Sequence, residues 1–546
     1  MRLFHTIRRT SVAVIAAAIT LAAPSVFAQS EQSRFASSLE AAAAQAAAQS
    51  GGDIVRRISV DDAVKLALEQ NLGIRIQRLD PQIQDMGVAQ AQSAWAPNFT
   101  SALQRNSQVQ QSTNALAGGA TSVDNGTLGT QIGLNQTLPW GGSYSGTFNN
   151  SRVTTSNFFA AYSPQLNSTV NVQYTQPLLR NYSIDQIRQQ VASSKKTRDL
   201  SDIQLQSVIT GTLRGVKNAY WDLVYTIDNL KAQQQSLALS QQFLKDNQKR
   251  VEIGTLAPID IVQAQAEVAA NEQGVIVADA AIKQAQDALR ALVLDPGAPD
   301  FWNIDFEPTD AASFAERAID IDAAVRNALD KRSDLHTAKN SLEQSDINLK
   351  FFGNQIKPDV NAQVNYIAAA SGGQPLASQV NILGQTAKVP ERGYGTVLGD
   401  VLKASYPTWT VGVQIGYPLG LNIAKANLAR ARLQYEQSQS QLKNLEMQVA
   451  TQVRTAARNV QTNQKRVQSA KASRELQEKK LEAEEKKLAA GMSQSFFVFQ
   501  AQRDLALART AEIQAIADYN KSLVDFEAVQ EVPLNGGGGG ITIAGR

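Results

Sequence analysis

Few side chains in this 546-residue sequence are suited to covalent or metal chemistry. There is no cysteine, and so no thiolate nucleophile, no disulfide, no Zn–Cys site and no lipid-modified N-terminal Cys. Of the two histidines, His5 lies in a segment expected to be removed, which leaves His336 alone. One imidazole builds no histidine cluster for a metal. The sequence also has no G-x-S-x-G, no Walker A and no H-E-x-x-H motif. Asp and Glu are plentiful, 49 in all, but those on the helices sit on helix faces, where they read as solvated charge. No enzyme activity, catalytic residue, cofactor or metal is therefore expected. Function must come from the elements and the surfaces they present.

The first element is an address. Arg2, Arg8 and Arg9 precede an apolar run from Val12 to Ala23, and Val26-Phe27-Ala28 supplies the small residues that signal peptidase needs, with cleavage after Ala28. The run is short for a membrane anchor. Sec export fits better than the twin-arginine route, because bulky apolar residues do not follow Arg8-Arg9. Removing the three arginines takes the net charge from +3 to zero, so no basic nucleic-acid surface is expected. No later stretch has the roughly 18 apolar residues of a transmembrane helix. If the mature chain enters a membrane, it must do so as a closed β-barrel.

An internal duplication runs the length of the chain. Ala63-Val64 with Ala67-Leu68 recurs as Ala324-Val325 with Ala328-Leu329, and the same shift of 261 carries Pro97 onto Pro358. Gly254 with Gln263-Ala264-Gln265 recurs as Gly491 with Gln500-Ala501-Gln502, at a shift of 237. The falling offset means that repeat one carries extra residues in its middle.

Each repeat has one grammar. A helix opens it, Ser59 to Trp95 and then Asp320 to Ile356, with Ser59 and Asp62 set as a capping box and Pro97 and Pro358 as stops. The apolar period then falls from 3.6 to 2. Val360, Ala362, Val364 and Tyr366 alternate with Asp359, Asn361, Gln363 and Asn365, and Trp409, Val411, Val413 and Ile415 alternate with polar residues and glycine. In repeat one, Leu128, Ile132 and Leu134, then Val170, Val172 and Tyr174, do the same. One apolar and one Asn/Gln/Thr/Gly face suits a barrel with lipid outside and water inside; a half-buried soluble sheet is the alternative. Proline-free helices of about 100 Å follow, from Ile184 to about Ile253 and from Ala424 to about Ala490. Each ends at a glycine tip and returns, over 258–294 and 494–529.

This grammar resembles the TolC-like outer-membrane efflux protein family over roughly 58–530. The carrying motifs are Val60-Asp61-Asp62-Ala63-Val64, Ile321-Asp322-Ala323-Ala324-Val325, Arg250 to Gly254 with Asp260-Ile261-Val262-Gln263-Ala264-Gln265, and Gly491 with Gln500-Ala501-Gln502. The resemblance implies an α+β fold in which a long α-helical coiled-coil barrel continues into a transmembrane β-barrel, assembled as a homotrimer from an internally duplicated chain. It implies an outer-membrane location in a Gram-negative-type bacterium, with the helical tunnel in the periplasm. Its partners would be outer-membrane lipid, a periplasmic adaptor and an inner-membrane transporter, in multidrug efflux or type I secretion. A periplasmic coiled-coil spacer without channel activity is the alternative reading.

The expected divisions are 1–28 signal peptide, 29–57 flexible lead-in, 58–296 first repeat, 297–319 linker or small belt, 320–531 second repeat, and 532–546 disordered glycine-rich tail. The resemblance places adaptor docking at the tips, Gly254, Thr255 and Leu256 with Gly491, Met492 and Ser493. It places a periplasmic aperture at Asp260, Gln263, Phe496, Phe497, Phe499 and Gln500. The family's aperture acids after the second tip are replaced here by Phe497 and Gln500, and its tyrosine by Leu488, so the expected gate is mainly hydrophobic, with Asp260 adding polarity. Packing of the phenylalanines between return helices is the competing reading. The segment from Pro139 to Asn167, with Trp140-Gly141-Gly142, Tyr144 and Phe148, is either a surface loop or an added hairpin. The resemblance implies four strands per protomer, and an added hairpin makes six.

Overall fold

A computed structural model describes residues 54–111, 121–157, 160–376, 389–417, 419–420 and 423–531. The signal segment, residues 29–53 of the lead-in and the glycine-rich tail lie outside the described residues. Repeat one opens with three helices, α1 (Val60–Gln70), α2 (Leu72–Gln77) and α3 (Leu79–Gln92). Ser59 caps α1 through the expected box, its hydroxyl accepting from the Asp62 amide at 3.1 Å. The single ten-turn helix expected here is corrected. Asn71 adopts an extended backbone (φ −60°, ψ 121°), and its side chain accepts from the Ile74 amide and donates to the Leu292 carbonyl. Repeat two breaks at the duplicated position, where extended Arg332 separates α6 (Ile321–Lys331) from α7 (Ser333–Gln355).

Four long helices follow the strands: α4 (Gln186–Glu252) returns as α5 (Ile259–Val293), and α9 (Ile423–Ala489) returns as α10 (Ser495–Val529). They lie side by side in the order α5–α4–α10–α9, because α4 touches both α5 and α10 while α10 touches α9. Ion pairs cross the repeat boundary, Lys521 to Asp222 at 2.7 Å and Arg214 to Asp525 at 2.6 Å. Among the described residues, no helix is long and apolar enough to cross a membrane.

A small belt sits at mid-length. Strand β1 (Ile54–Ile58) pairs in parallel with β6 (Ile304–Pro308). The end of the lead-in, expected to be flexible, is thus a strand, and it pairs with part of 297–319, the segment expected as a linker or small belt. The reason is burial: Ile58, Phe301 and Phe306 pack on Val216, Tyr220, Leu223, Leu289 and Val293 of α4 and α5.

The remaining strands form one open sheet in the order β2-β3-β4-β5-β7-β8, antiparallel at every step. They are β2 (Asn98–Gln111), β3 (Ser122–Thr137), β4 (Ser143–Thr155), β5 (Tyr162–Pro177), β7 (Asp359–Pro375) and β8 (Pro407–Gly416). The segment around Trp140 is thus the turn of an added hairpin, β3–β4. A short helix, α8 (Tyr394–Leu402), lies between β7 and β8, and its Val397 and Val401 cover Ala368 and Ala370 on the apolar face.

Candidate functional site: the sheet and the helical tips

The period-2 pattern fixes what each face of the sheet presents. One register row reads Phe99, Leu134, Gly146, Val172, Tyr366 and Trp409 across the six strands, and the adjacent row reads Asn98, Asn135, Ser145, Gln173, Asn365 and Thr410. Side chains alternate across a strand, so these rows lie on opposite faces. Val411, Val413 and Ile415 extend the apolar face and are exposed. An exposed apolar face of this extent requires a nonaqueous neighbour.

The sheet meets the helices at a polar knot that the sequence did not reveal. Arg188, in the first turn of α4, pairs with the Asp185 carboxylate at 2.9 Å and donates to the carbonyls of Asn181, Tyr182 and Ser183. Asn354 and Gln355, at the end of α7, bond the same segment: the Asn181 amide donates to Asn354, and Gln355 donates to the Asn181 side chain. The link holds the two repeats at the strand-to-helix junction. Its only sequence signal was an arginine three residues after an N-cap aspartate.

At the far end, both tips use one stop. The Gly254 amide donates to Val251 and the Thr255 amide to Arg250, while Gly491 donates to Leu488 and Met492 to Lys487. This double bond pattern around a left-handed glycine (φ +77° and +72°) is a Schellman cap. Thr255 and Met492 are exposed, while Leu256 and Ser493 are half-buried. The Ser493 hydroxyl donates to Glu484, and Lys487 lies 2.7 Å from the same carboxylate. The ammonium of Lys487 and then this hydroxyl hold Glu484 below the ordinary carboxylate range.

The expected aperture residues differ in exposure. Asp260 is half-buried in the first turn of α5, and Gln263 and Gln500 are exposed. Phe496 and Phe497 are partly exposed and meet edge to face at 5.6 Å. Phe499 is buried, packing edge to face on Phe243 of α4 at 4.9 Å. On the helix it falls on the buried stripe that also carries Val498, Ala501 and Leu505. Leu488 belongs to the same apolar cluster as Val498, Ala501 and Leu505. Among the described residues, no group of His, Asp or Glu could hold a metal ion.

The comparisons with known proteins agree with this geometry. The family model for Outer membrane efflux protein matches residues 63–293 and again 324–529. Among solved structures, a membrane protein from Pseudomonas aeruginosa is similar at 14% identity, with a TM-score of 0.61, over 86% of this chain and 93% of its own. The Campylobacter jejuni CmeC outer membrane channel is similar at 14% identity and TM-score 0.58, covering 86% and 85%. The open state of the Neisseria gonorrhoeae MtrE outer membrane channel gives 15%, 0.57, 87% and 89%. No relative matches among the curated proteins. The chain belongs to the outer membrane efflux protein family.

Proposed function

We infer that this protein is a homotrimeric channel-tunnel of the outer membrane, conducting substrates from an inner-membrane transporter and a periplasmic adaptor to the exterior. The observation that carries this reading is the open two-faced sheet joined directly to long paired helices. One sheet face is apolar enough for lipid and the other polar enough for water. Backbone edges cannot stay open in hydrocarbon, so the sheet must be completed by further copies. The two family matches support an efflux role, in multidrug efflux or type I secretion. Transport here is passive and catalyses no reaction, its free energy coming from the partner transporter.

The remaining assignments follow. A signal peptide ends at Ala28 and directs Sec export. The repeats span 58–296 and 320–531. The tips, Gly254 to Leu256 and Gly491 to Ser493, dock the adaptor. Asp260, Gln263, Phe496, Phe497 and Gln500 stand around the periplasmic aperture.

Oligomer mass in detergent, followed by single-channel conductance in a planar bilayer, tests this reading. A trimer with discrete openings is expected. A soluble monomer or dimer with no conductance would instead favour a periplasmic coiled-coil spacer.

A further inference from the structure

The sheet leaves its edges unfinished. Every residue of β2 and of β8 is exposed, while the inner strands β4 and β5 are mostly half-buried. Neither edge carries a lysine or an internal proline, and neither is interrupted by a bulge. Phe99 and Leu103 on one edge, and Trp409, Val411, Val413 and Ile415 on the other, are exposed and apolar. Long apolar edges of this kind invite strand pairing. Five antiparallel steps separate β2 from β8, so the two edges run in opposite directions. The β8 edge of one copy therefore meets the β2 edge of the next in the antiparallel sense that a closed barrel needs.

Among the described residues, repeat two supplies two strands of the sheet and repeat one supplies four. Without β3 and β4, β2 and β5 would be the counterparts of β7 and β8. The added hairpin is built into the sheet. β3 pairs in unbroken register with β2 from Ser122 to Asn135 and with β4 from Asn125 to Thr137. Its turn is closed by the Leu138 amide donating to Gly142 at 2.7 Å. Gly141 has φ +92°, and a Cβ there would stand 2.6 Å from the Arg188 guanidinium and 3.0 Å from the Asn181 carbonyl. The turn is therefore seated on the strand-to-helix junction.

We propose that three copies close edge to edge, β2 on β8, into a barrel of eighteen strands whose wide polar mouth passes bulky hydrated solutes without selecting among them. This rests on the trimeric-duct reading above. Strands about 4.8 Å apart and tilted about 40° give a backbone radius of about 18 Å for eighteen strands, against about 12 Å for the twelve that four strands per copy imply. Subtracting side chains leaves lumen radii of about 13 Å and about 7 Å. The Asn/Gln/Thr rows line that lumen, and discrimination is left to the helical end.

Polymer exclusion on the unaltered protein decides the width. Poly(ethylene glycol) of about 10 Å hydrodynamic radius, a size that fits only the wider lumen, is added from the barrel side of a planar bilayer. Entry, seen as reduced conductance, is expected. The seam is located by disulfides, which have no background because the chain has no cysteine. Val411→Cys is combined in turn with Phe99→Cys, Ser101→Cys and Leu103→Cys, and one pair is expected to give a covalent trimer ladder. Trimers that exclude the polymer, with no ladder from any pair, would overturn the eighteen-strand barrel and leave the duct standing. A chain that never trimerises would overturn both.

Discussion

Phe499 lies against Phe243 in the seam between the repeats, while Phe497, two residues earlier, is partly exposed, and the pair separates packing from gating. Phe499→Ala removes a buried ring and is expected to cost about 3–5 kcal/mol, read by chemical denaturation. Phe497→Ser is expected to change stability little and closed-state conductance measurably. Unchanged conductance with a destabilised trimer would return Phe497 to a packing role. Tyr220 offers a second residue-scale test. Its hydroxyl donates to the Ile58 carbonyl and to Asp310, and the Asp310 amide donates back to it. Burial is the main cause pushing this phenol from 10.0 up to about 12. A raised folded-state value means that the stability it contributes is complete below pH 10 and lost as pH climbs through about 12. Tyr220→Phe is expected to cost about 1–2 kcal/mol at neutral pH and to flatten that alkaline loss. Thermal unfolding across the alkaline range measures both.

Among the helices, α3 stands out because none of its residues is buried. Leu72, Ile76, Leu79, Ile83 and Met86 recur at spacings of four and three across α2 and α3, and all are exposed. That is the spacing of a coiled-coil seam, left uncovered by the described residues of its own chain. In the proposed trimer the next copy covers it, and a charge placed there would be buried without a partner. Ile83→Asp is expected to shift the detergent-solubilised protein from trimer to monomer with its helix content intact; an unaltered trimer would place the interface elsewhere. The split at Asn71 and Arg332 belongs to this scale too. Each break ends the opening helix at an extended residue, and propensity alone does not reveal it because neither position is Gly or Pro.

For the whole molecule, the tips are the point farthest from the sheet and the natural place for a partner to act. Leu256→Asp with Met492→Asp is expected to abolish export in cells while trimers persist, measured by substrate accumulation beside oligomer mass. Retained export would remove docking from these positions. The long helices, the glycine stops and the strand alternation were legible in the sequence, because each rests on local periodicity or on one residue's backbone freedom. The capping box at Ser59 and the glycine tips were legible for the same reason. Tertiary structure decided what depends on distant partners. It paired Ile54–Ile58 with Ile304–Pro308 across nearly half the chain, and buried Phe499 beside a residue of the other repeat. It also made Ser143–Thr155 a further strand, joined to β3 by the turn around Trp140. Alternation marks a strand but not its neighbours, and burial is set by whichever surface arrives from elsewhere in the chain.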